Sequence, residues 1–234
     1  MPAHRYWAAI PAAGIGTRMG LALPKQYLPL HGQPLIAHSL ALFCAHPAIR
    51  GVVVALSADD PHWSTLSVAR DQKVSITIGG AERCHSVLAA LARLLQTADP
   101  QDWVLVHDAA RPCLRRGDLD RLIARCSTHP VGGLLALPVR DTMKRADATG
   151  TVLETVSRVN LWHALTPQMF RIGRLNDALE AALAQGRLVT DEAEAMELSG
   201  QAPRLVEGQP DNIKVTLPRD LALAERYLQR QREE

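Results

Sequence analysis

The sequence predicts an α/β protein, and three observations carry that prediction. Short runs rich in β-formers, WAAIPA, GVVVALS, VSITI, WVLVH and GGLLALPV, recur along the chain, each bounded by Gly, Pro or polar residues. Stripes with helical spacing lie between them: Ile36, Leu40 and Phe43 share one face, and Leu119, Leu122, Ile123 and Cys126 repeat at i, i+3, i+4 and i+7. The 234 residues, 47% apolar and 21% charged, suffice for one sizeable core, so a single domain over 1–234 is expected. Strands alternating with helices need right-handed crossovers, hence a Rossmann-like, mostly parallel twisted sheet with helices on both faces. Ligands in such sheets sit beyond the carboxyl ends of the strands, and the loops there are where chemistry is expected.

The first strand runs into IPAAGIGTRMG, where Gly14 and Gly16 let backbone N–H groups approach phosphate oxygens that a side chain would keep away. The loop lacks the Gly-Lys-Ser/Thr ending of a Walker A motif, and Met19 takes the place of the third glycine of GxGxxG. A dinucleotide site also expects an acidic residue about twenty positions on, and no carboxylate occurs between Gly20 and Asp59. Residues 1–58 contain no Asp or Glu at all, yet carry Arg5, Arg18, Lys25 and Arg50. Arg18 inside the loop and Lys25 just after it can converge on whatever anion the glycines hold. A glycine pair after a strand is also a common plain turn, and it is the combination with two cations that points to polyphosphate.

Further along, Gly79 and Gly80 follow VSITI as either a turn or a ligand loop. Asp108 ends the hydrophobic run of VLVHDAARP, where a carboxylate is costly unless solvated, paired or bound to metal. Pairing with Arg111 is one solution. Magnesium is the other, since Mg2+ is content with one or two carboxylates plus phosphate oxygens. After GGLLALPV the pattern breaks into two short polar strands around the turn signal Asp147 to Gly150, a β-arm over 140–158 too exposed to bury much alone. A second copy of the chain is the economical surface for it to pack on. Thr190, ahead of DEAEAMEL, reads as a helix N-cap or a phosphate ligand. The last segment, with Pro218 at a helix start and Leu221, Ala224 and Leu228 on one face, is expected to close the core.

Several of these segments resemble one family. PAAGIGTRMG followed by PKQYLPLHGQPLIAHSL, then GGAERCHSVLAAL, VHDAARPCL, VRDTMKR, LWHALTPQMF, VTDEAEAMELSG and VEGQPDNIKVT, are similar in order to the 2-C-methyl-D-erythritol 4-phosphate cytidylyltransferases among the sugar-phosphate nucleotidylyltransferases. The resemblance implies transfer of CMP from CTP to a sugar-alcohol phosphate with release of pyrophosphate, Mg2+ as cofactor, and a homodimer that exchanges its arms. It implies CTP binding by Ala12, Ala13, Gly14, Gly16, Gly80, Ala81, Ser86, Asp108 and Ala109, with Asp108 also on the metal. Relatives often carry an acidic or polar side chain where this chain has Ala81, so a base contact there would come from the backbone. Arg18, Lys25 and Lys214 are implied as the catalytic cations, and Arg111, Thr142, Arg158, Thr166 and Thr190 as acceptor ligands. Hydroxyls with a guanidinium are what a phosphate monoester needs. A ribitol 5-phosphate cytidylyltransferase and a catalytically silent nucleotide-binding module stay open as alternatives.

Composition excludes other classes. A net charge of +2 without a clustered basic surface gives no reason to expect nucleic acid or an anionic membrane as partner. No run of eighteen apolar residues occurs and the first residues form no apolar leader, so a cytoplasmic location is expected. Cys44, Cys84, Cys113 and Cys126 show no CxxC spacing and read as inert thiols, and the nine histidines contain no HExxH pattern that would suggest zinc.

Overall fold

A computed structural model describes residues 5–14 and 23–234. Gly16 and Arg18 lie outside the described residues. The chain runs β1 (Tyr6–Pro11), β2 (Pro29–Leu30), β3 (Gln33–Pro34), α1 (Leu35–Ala45), β4 (Ile49–Leu56), β5 (Val74–Ile78), α2 (Arg83–Leu94), β6 (Trp103–Val106), α3 (Arg116–Cys126) and β7 (Gly132–Pro138). It continues with β8 (Met143–Ala146), β9 (Val152–Val156), β10 (Trp162–Arg171), α4 (Ile172–Ala184), α5 (Glu192–Leu198), β11 (Arg204–Glu207) and α6 (Pro218–Glu233).

Seven strands form the central sheet in the order β11-β7-β10-β6-β1-β4-β5, parallel except for β10, which runs antiparallel to both of its neighbours. The pleat explains why the strand sequences are apolar almost throughout. Ala8, Ile10, Val52, Val54, Trp103 and Leu105 point into one core with Phe43 and Leu119, while Ala9, Val53, Ala55, Val104 and Val106 point into another with Val87, Leu91 and Leu179. Helices α1 and α3 thus cover one face, and α2 and α4 the other, as alternation of strands and helices requires. Helix α6 closes neither of these cores. It packs Ala224 into a small third cluster with Leu30, Leu35, Cys113 and Val215, with Leu221 and Leu228 half-buried beside it.

Strand β10 is the element that the sequence concealed. Its register against β7 shifts between Ala164 and Gln168, around the cis Thr166–Pro167 bond. Between β7 and β10 the chain makes the expected hairpin: β8 and β9 pair only with each other, with Arg145 opposite Glu154 and joined to it by a 2.6 Å ion pair. Asp147 Oδ1 accepts from the N–H groups of Thr149 and Thr151, and Gly150 takes the positive φ of 87° that the turn demands. The hairpin is exposed along most of its length. All four cysteines are free thiols, and burial pushes Cys113 and Cys126 up to about 12.

Candidate active site

A cavity of about 410 Å3 opens where three parallel strands end. Ala12, Ala13 and Gly14 enter it after β1, Gly80 and Ala81 after β5, and Asp108 and Ala109 after β6; Ser86, Lys25 and Lys214 complete the sequence-predicted residues that line it. Every described residue expected to meet CTP, and both described residues expected as catalytic cations, therefore line one cavity. Among the described residues, a Cβ built on Gly14 would meet no atom within 4 Å. Open space at a glycine lets a ligand approach the backbone there.

The loops around the cavity are fastened by residues that sequence reasoning passed over. Gln26, 4% exposed, donates from Nε2 to the carbonyls of Ala12 (2.9 Å) and Gly14 (3.2 Å), fixing the loop after β1. Its neighbour Tyr27 donates to Asp60 at 2.7 Å. A Cβ on Gly79 would lie 2.6 Å from Ala13 Cβ and 2.7 Å from Ser86 Oγ, so only glycine lets the loop after β5 close on the loop after β1. Ser86 Oγ accepts from the Gly80 N–H at 3.2 Å and thereby shapes that loop.

Asp108 is the electrostatic centre. Its Oδ1 accepts from Arg83 Nε at 2.9 Å; its Oδ2 lies 2.9 Å from Lys214 Nζ and 3.6 Å from Arg111 Nε. Pairing with Arg111, read from the sequence, is thus the weakest of the three contacts. Burial by itself would raise the Asp108 pKa, but Arg83, Lys214 and Arg111 outweigh it and hold the carboxyl well below the usual carboxylate range. Lys214 reaches this position because the strap that carries it is pinned: Val215 N–H donates to the Ala110 carbonyl at 2.8 Å, and Arg111 Nη1 to the Asn212 carbonyl at 2.7 Å. Arg83 in turn grips Glu192 with both terminal nitrogens, at 2.6 and 3.1 Å. Burial pushes the Glu192 carboxyl up, against the attraction of Arg83.

Beneath Asp108 runs a buried chain of neutral hydrogen bonds. The Asp108 N–H donates to Thr166 Oγ1 at 3.1 Å, Thr166 Oγ1 lies 3.0 Å from His107 Nδ1, and His107 Nε2 lies 3.0 Å from the Arg111 carbonyl. A carbonyl only accepts, so the ring proton belongs on Nε2 and the Thr166 hydroxyl donates to Nδ1. Burial pushes His107 down from 6.5 to about 4. A base whose folded pKa lies below its unfolded one binds more protons when unfolded, so this stability is complete above pH 6.5 and is lost as the pH falls toward 4. The full displacement corresponds to about 3 kcal/mol. His107→Gln, whose amide can accept and donate in the same places, is expected to flatten the fall in stability across that window in urea unfolding at stepped pH. A slope equal to that of the wild type would show that His107 does not carry it.

The acceptor ligands expected from the sequence are dispersed. Thr166 is buried, its hydroxyl already held by His107 and the Asp108 N–H. Arg111 is buried beside Asp108, and its Nε has no hydrogen-bond partner among the described residues. Thr142 and Arg158 are exposed at the open end of the hairpin, opposite its turn, where Arg158 donates to the Arg140 carbonyl, and neither is among the residues lining the cavity. Thr190 is not the N-cap of α5. Asp191 holds that place, accepting from the Glu194 N–H at 2.9 Å, because it is one residue nearer the first turn; Thr190 donates its N–H and hydroxyl to Glu194 at 2.7 and 2.9 Å. Gln168, another residue not anticipated, ties β10 to this helix by donating to Asp191 at 2.9 Å and accepting from the Ala193 N–H at 2.7 Å.

No group of three or more His, Cys, Asp or Glu among the described residues could hold a metal by itself. Asp108 nevertheless lines the cavity together with the glycine cradle and two lysines. That donor set fits a magnesium ion whose other ligands are nucleotide phosphates and water. No helix among the described residues is long and apolar enough to cross a membrane.

Comparison with known proteins gives a consistent result. The family model for 2-C-methyl-D-erythritol 4-phosphate cytidylyltransferase matches residues 7–230. A protein of that name from Pseudomonas putida strain W619 is 58% identical over 217 residues, 92% of each chain. One from Vibrio vulnificus strain YJ016 is 55% identical over 226 residues, 97% of this chain and 95% of the other. The crystal structure of the Francisella tularensis protein of the same name superposes with a TM-score of 0.84 at 33% identity, covering 95% of this chain and 99% of that one.

Proposed function

The chain belongs to the 2-C-methyl-D-erythritol 4-phosphate cytidylyltransferases, and from that membership we propose how its residues carry the reaction. The enzyme transfers CMP from CTP to 2-C-methyl-D-erythritol 4-phosphate, giving 4-diphosphocytidyl-2-C-methyl-D-erythritol and pyrophosphate in isoprenoid biosynthesis. The observation that carries the assignment of roles is the single cavity that gathers Gly14, Gly80, Lys25, Lys214 and Asp108.

The triphosphate lies against the Gly14 loop, and the cytosine against Gly80, Ala81 and Ser86, with backbone groups at Ala81 making any base contact. A phosphate oxygen of the acceptor, anionic near neutral pH, attacks the α-phosphorus in line. One phosphorus–oxygen bond forms, the bond to the β-phosphate oxygen breaks, and pyrophosphate leaves with its electron pair. No general base is needed. The protein's task is to bring two polyanions together and to hold charge as it moves. Lys25, Lys214 and Arg18 do this, while Arg83 keeps Asp108 Oδ1 in place. Asp108, whose Oδ2 Lys214 meets at 2.9 Å, would hold Mg2+ together with the nucleotide phosphates, and the ion would supply neutralisation of their charge.

The acceptor phosphate is bound by Arg111 and Thr190, together with Thr142 and Arg158 delivered by the hairpin of a second copy, while Thr166, its hydroxyl proton committed to His107, serves by holding the Asp108 N–H. Support for exchange is that Thr142 and Arg158 are exposed and not among the residues lining the cavity, while Val159 next to Arg158, and Val152 and Leu153 near the hairpin turn, are exposed apolar side chains. The enzyme is then a homodimer, inactive as a monomer, and works in the cytoplasm.

The test is pyrophosphate release with CTP and either 2-C-methyl-D-erythritol 4-phosphate or ribitol 5-phosphate, with and without Mg2+, and with ATP as the nucleotide control. Release confined to CTP, the methylerythritol acceptor and Mg2+ is expected. Full activity without a divalent ion would remove the metal role of Asp108, and full activity of a species that sediments as a monomer would remove arm exchange.

A further inference from the structure

We propose that Arg83 and Glu192 are positioning residues that couple the nucleotide loop to the acceptor loop, so that Asp108 is correctly oriented only when both loops are docked. The proposal rests on the roles assigned above to Gly80–Ser86 and Thr190.

The geometry is specific. Arg83 opens α2 directly after the segment that lines the cavity through Gly80 and Ala81, and Glu192 opens α5 two residues after Thr190. The guanidinium spends its terminal nitrogens on Glu192 at 2.6 and 3.1 Å and its Nε on Asp108 at 2.9 Å. Three donors of one rigid plane thus fix two carboxylates on different elements, which a lysine point charge could not do. Asp108 Oδ1 is held only as firmly as Arg83 is, and Arg83 is held by Glu192.

The arrangement is also costly. The Glu192 side chain is 1% exposed and that of Arg83 25%, and a buried carboxylate paired with a half-buried guanidinium is a costly way to join two helices. Apolar side chains of similar volume often serve stability as well or better. An ion pair retained at this depth, with its third donor on the carboxylate at the centre of the cavity, is accounted for by what it does to Asp108. A movement of the Thr190 segment is transmitted through Glu192 and Arg83 to the same carboxylate that meets the nucleotide.

The experiment measures kcat, both KM values and thermal melting for the full chain as wild type, Glu192→Gln, Glu192→Asp, Arg83→Lys and the neutral pair Arg83→Gln/Glu192→Gln. Wild-type release of pyrophosphate from CTP and the methylerythritol acceptor is the first reading; its failure would refute the assigned reaction and, with it, the coupling that rests on that reaction. Given that activity, Glu192→Gln and Arg83→Lys are expected to lose about ten- to a hundredfold in kcat/KM, the scale for removing a group that orients a ligand. Glu192→Gln, although on the acceptor side, is expected to raise the KM for CTP as well, and Glu192→Asp to recover part of the loss. The neutral pair is expected to stay impaired even where it melts like the wild type. Wild-type kinetics in the neutral pair, or a Glu192→Gln effect confined to melting or to the acceptor KM, would overturn the proposal. If Glu192→Gln does not fold, the two KM values of Glu192→Asp decide in the same way.

Discussion

Lys214→Ala is expected to lower turnover about a hundredfold or more, the scale of losing one preorganised electrostatic stabiliser. The fold should hardly notice. Lys214 is 37% exposed and sits on a backbone strap pinned by Val215 and Arg111, so its removal leaves the strap in place. Asp108 keeps Arg83 at 2.9 Å and Arg111 at 3.6 Å and stays ionised. The melting temperature should therefore move by less than about 4 °C, the change that about 1 kcal/mol makes in a domain of this size. Steady-state kinetics and a thermal scan on one preparation check both halves. Near-normal turnover would show that Lys214 serves only as a counter-ion for Asp108, and Lys25 and Arg18 would then have to carry the charge between them.

Asp108→Asn reverses that balance. The substitution strands cations instead of removing one. Arg83 still has Glu192, and Lys214 can turn to water, but Arg111 is 9% exposed and loses its only carboxylate partner among the described ion pairs. Breaking a buried pair from one side costs about 3–5 kcal/mol. A fall of that order in urea unfolding is expected, near its lower end because the Arg111 contact is the longest of the three. Activity should fall together with the response to Mg2+. A variant that keeps wild-type stability would mean that Arg111 finds compensation elsewhere, and one that keeps wild-type Mg2+ dependence would dissociate Asp108 from the metal.

The parallel part of the fold was legible because strands buried on both faces write continuous apolar runs, as WVLVH does, losing only His107 from β6; the edge strand β5 matched VSITI through its β-branched residues, although Ile76 and Ile78 are exposed. Strand β10 was not, since LWHALTPQMF mixes polar residues with Pro167, and a proline within a run argues against an inner strand. Strand β11, RLVE, is too short to register. In the site, Gly14 and Lys25 were readable as local chemistry, as was Asp108 at a strand end. Arg83 and Glu192 were not. A buried charge is recognised by its partner, and theirs are 109 residues apart, so each looks like an ordinary charged residue at a helix start. Gln26 offered a weak signal, adjacent to Lys25 in PKQY, but nothing in its type distinguishes a carboxamide that latches a loop from one in solvent. The misread N-cap at Thr190 shows the limit of local rules where Thr and Asp stand side by side.

These long separations also set the order in which the enzyme comes into being. Ala12 and Lys214 line one cavity, and Arg111 is joined to Asn212 across 101 residues. The helices and the hairpin of β8 and β9 can form from neighbouring residues within microseconds, whereas contacts of this span must await closure of large loops. During synthesis, a chain that has emerged as far as β10 already contains the glycine cradle and Asp108 but neither Glu192 nor Lys214. It is then a nucleotide pocket without its clamp. Activity in a refolding or newly made chain consequently returns no sooner than the slowest of these closures, and lags behind the recovery of secondary structure.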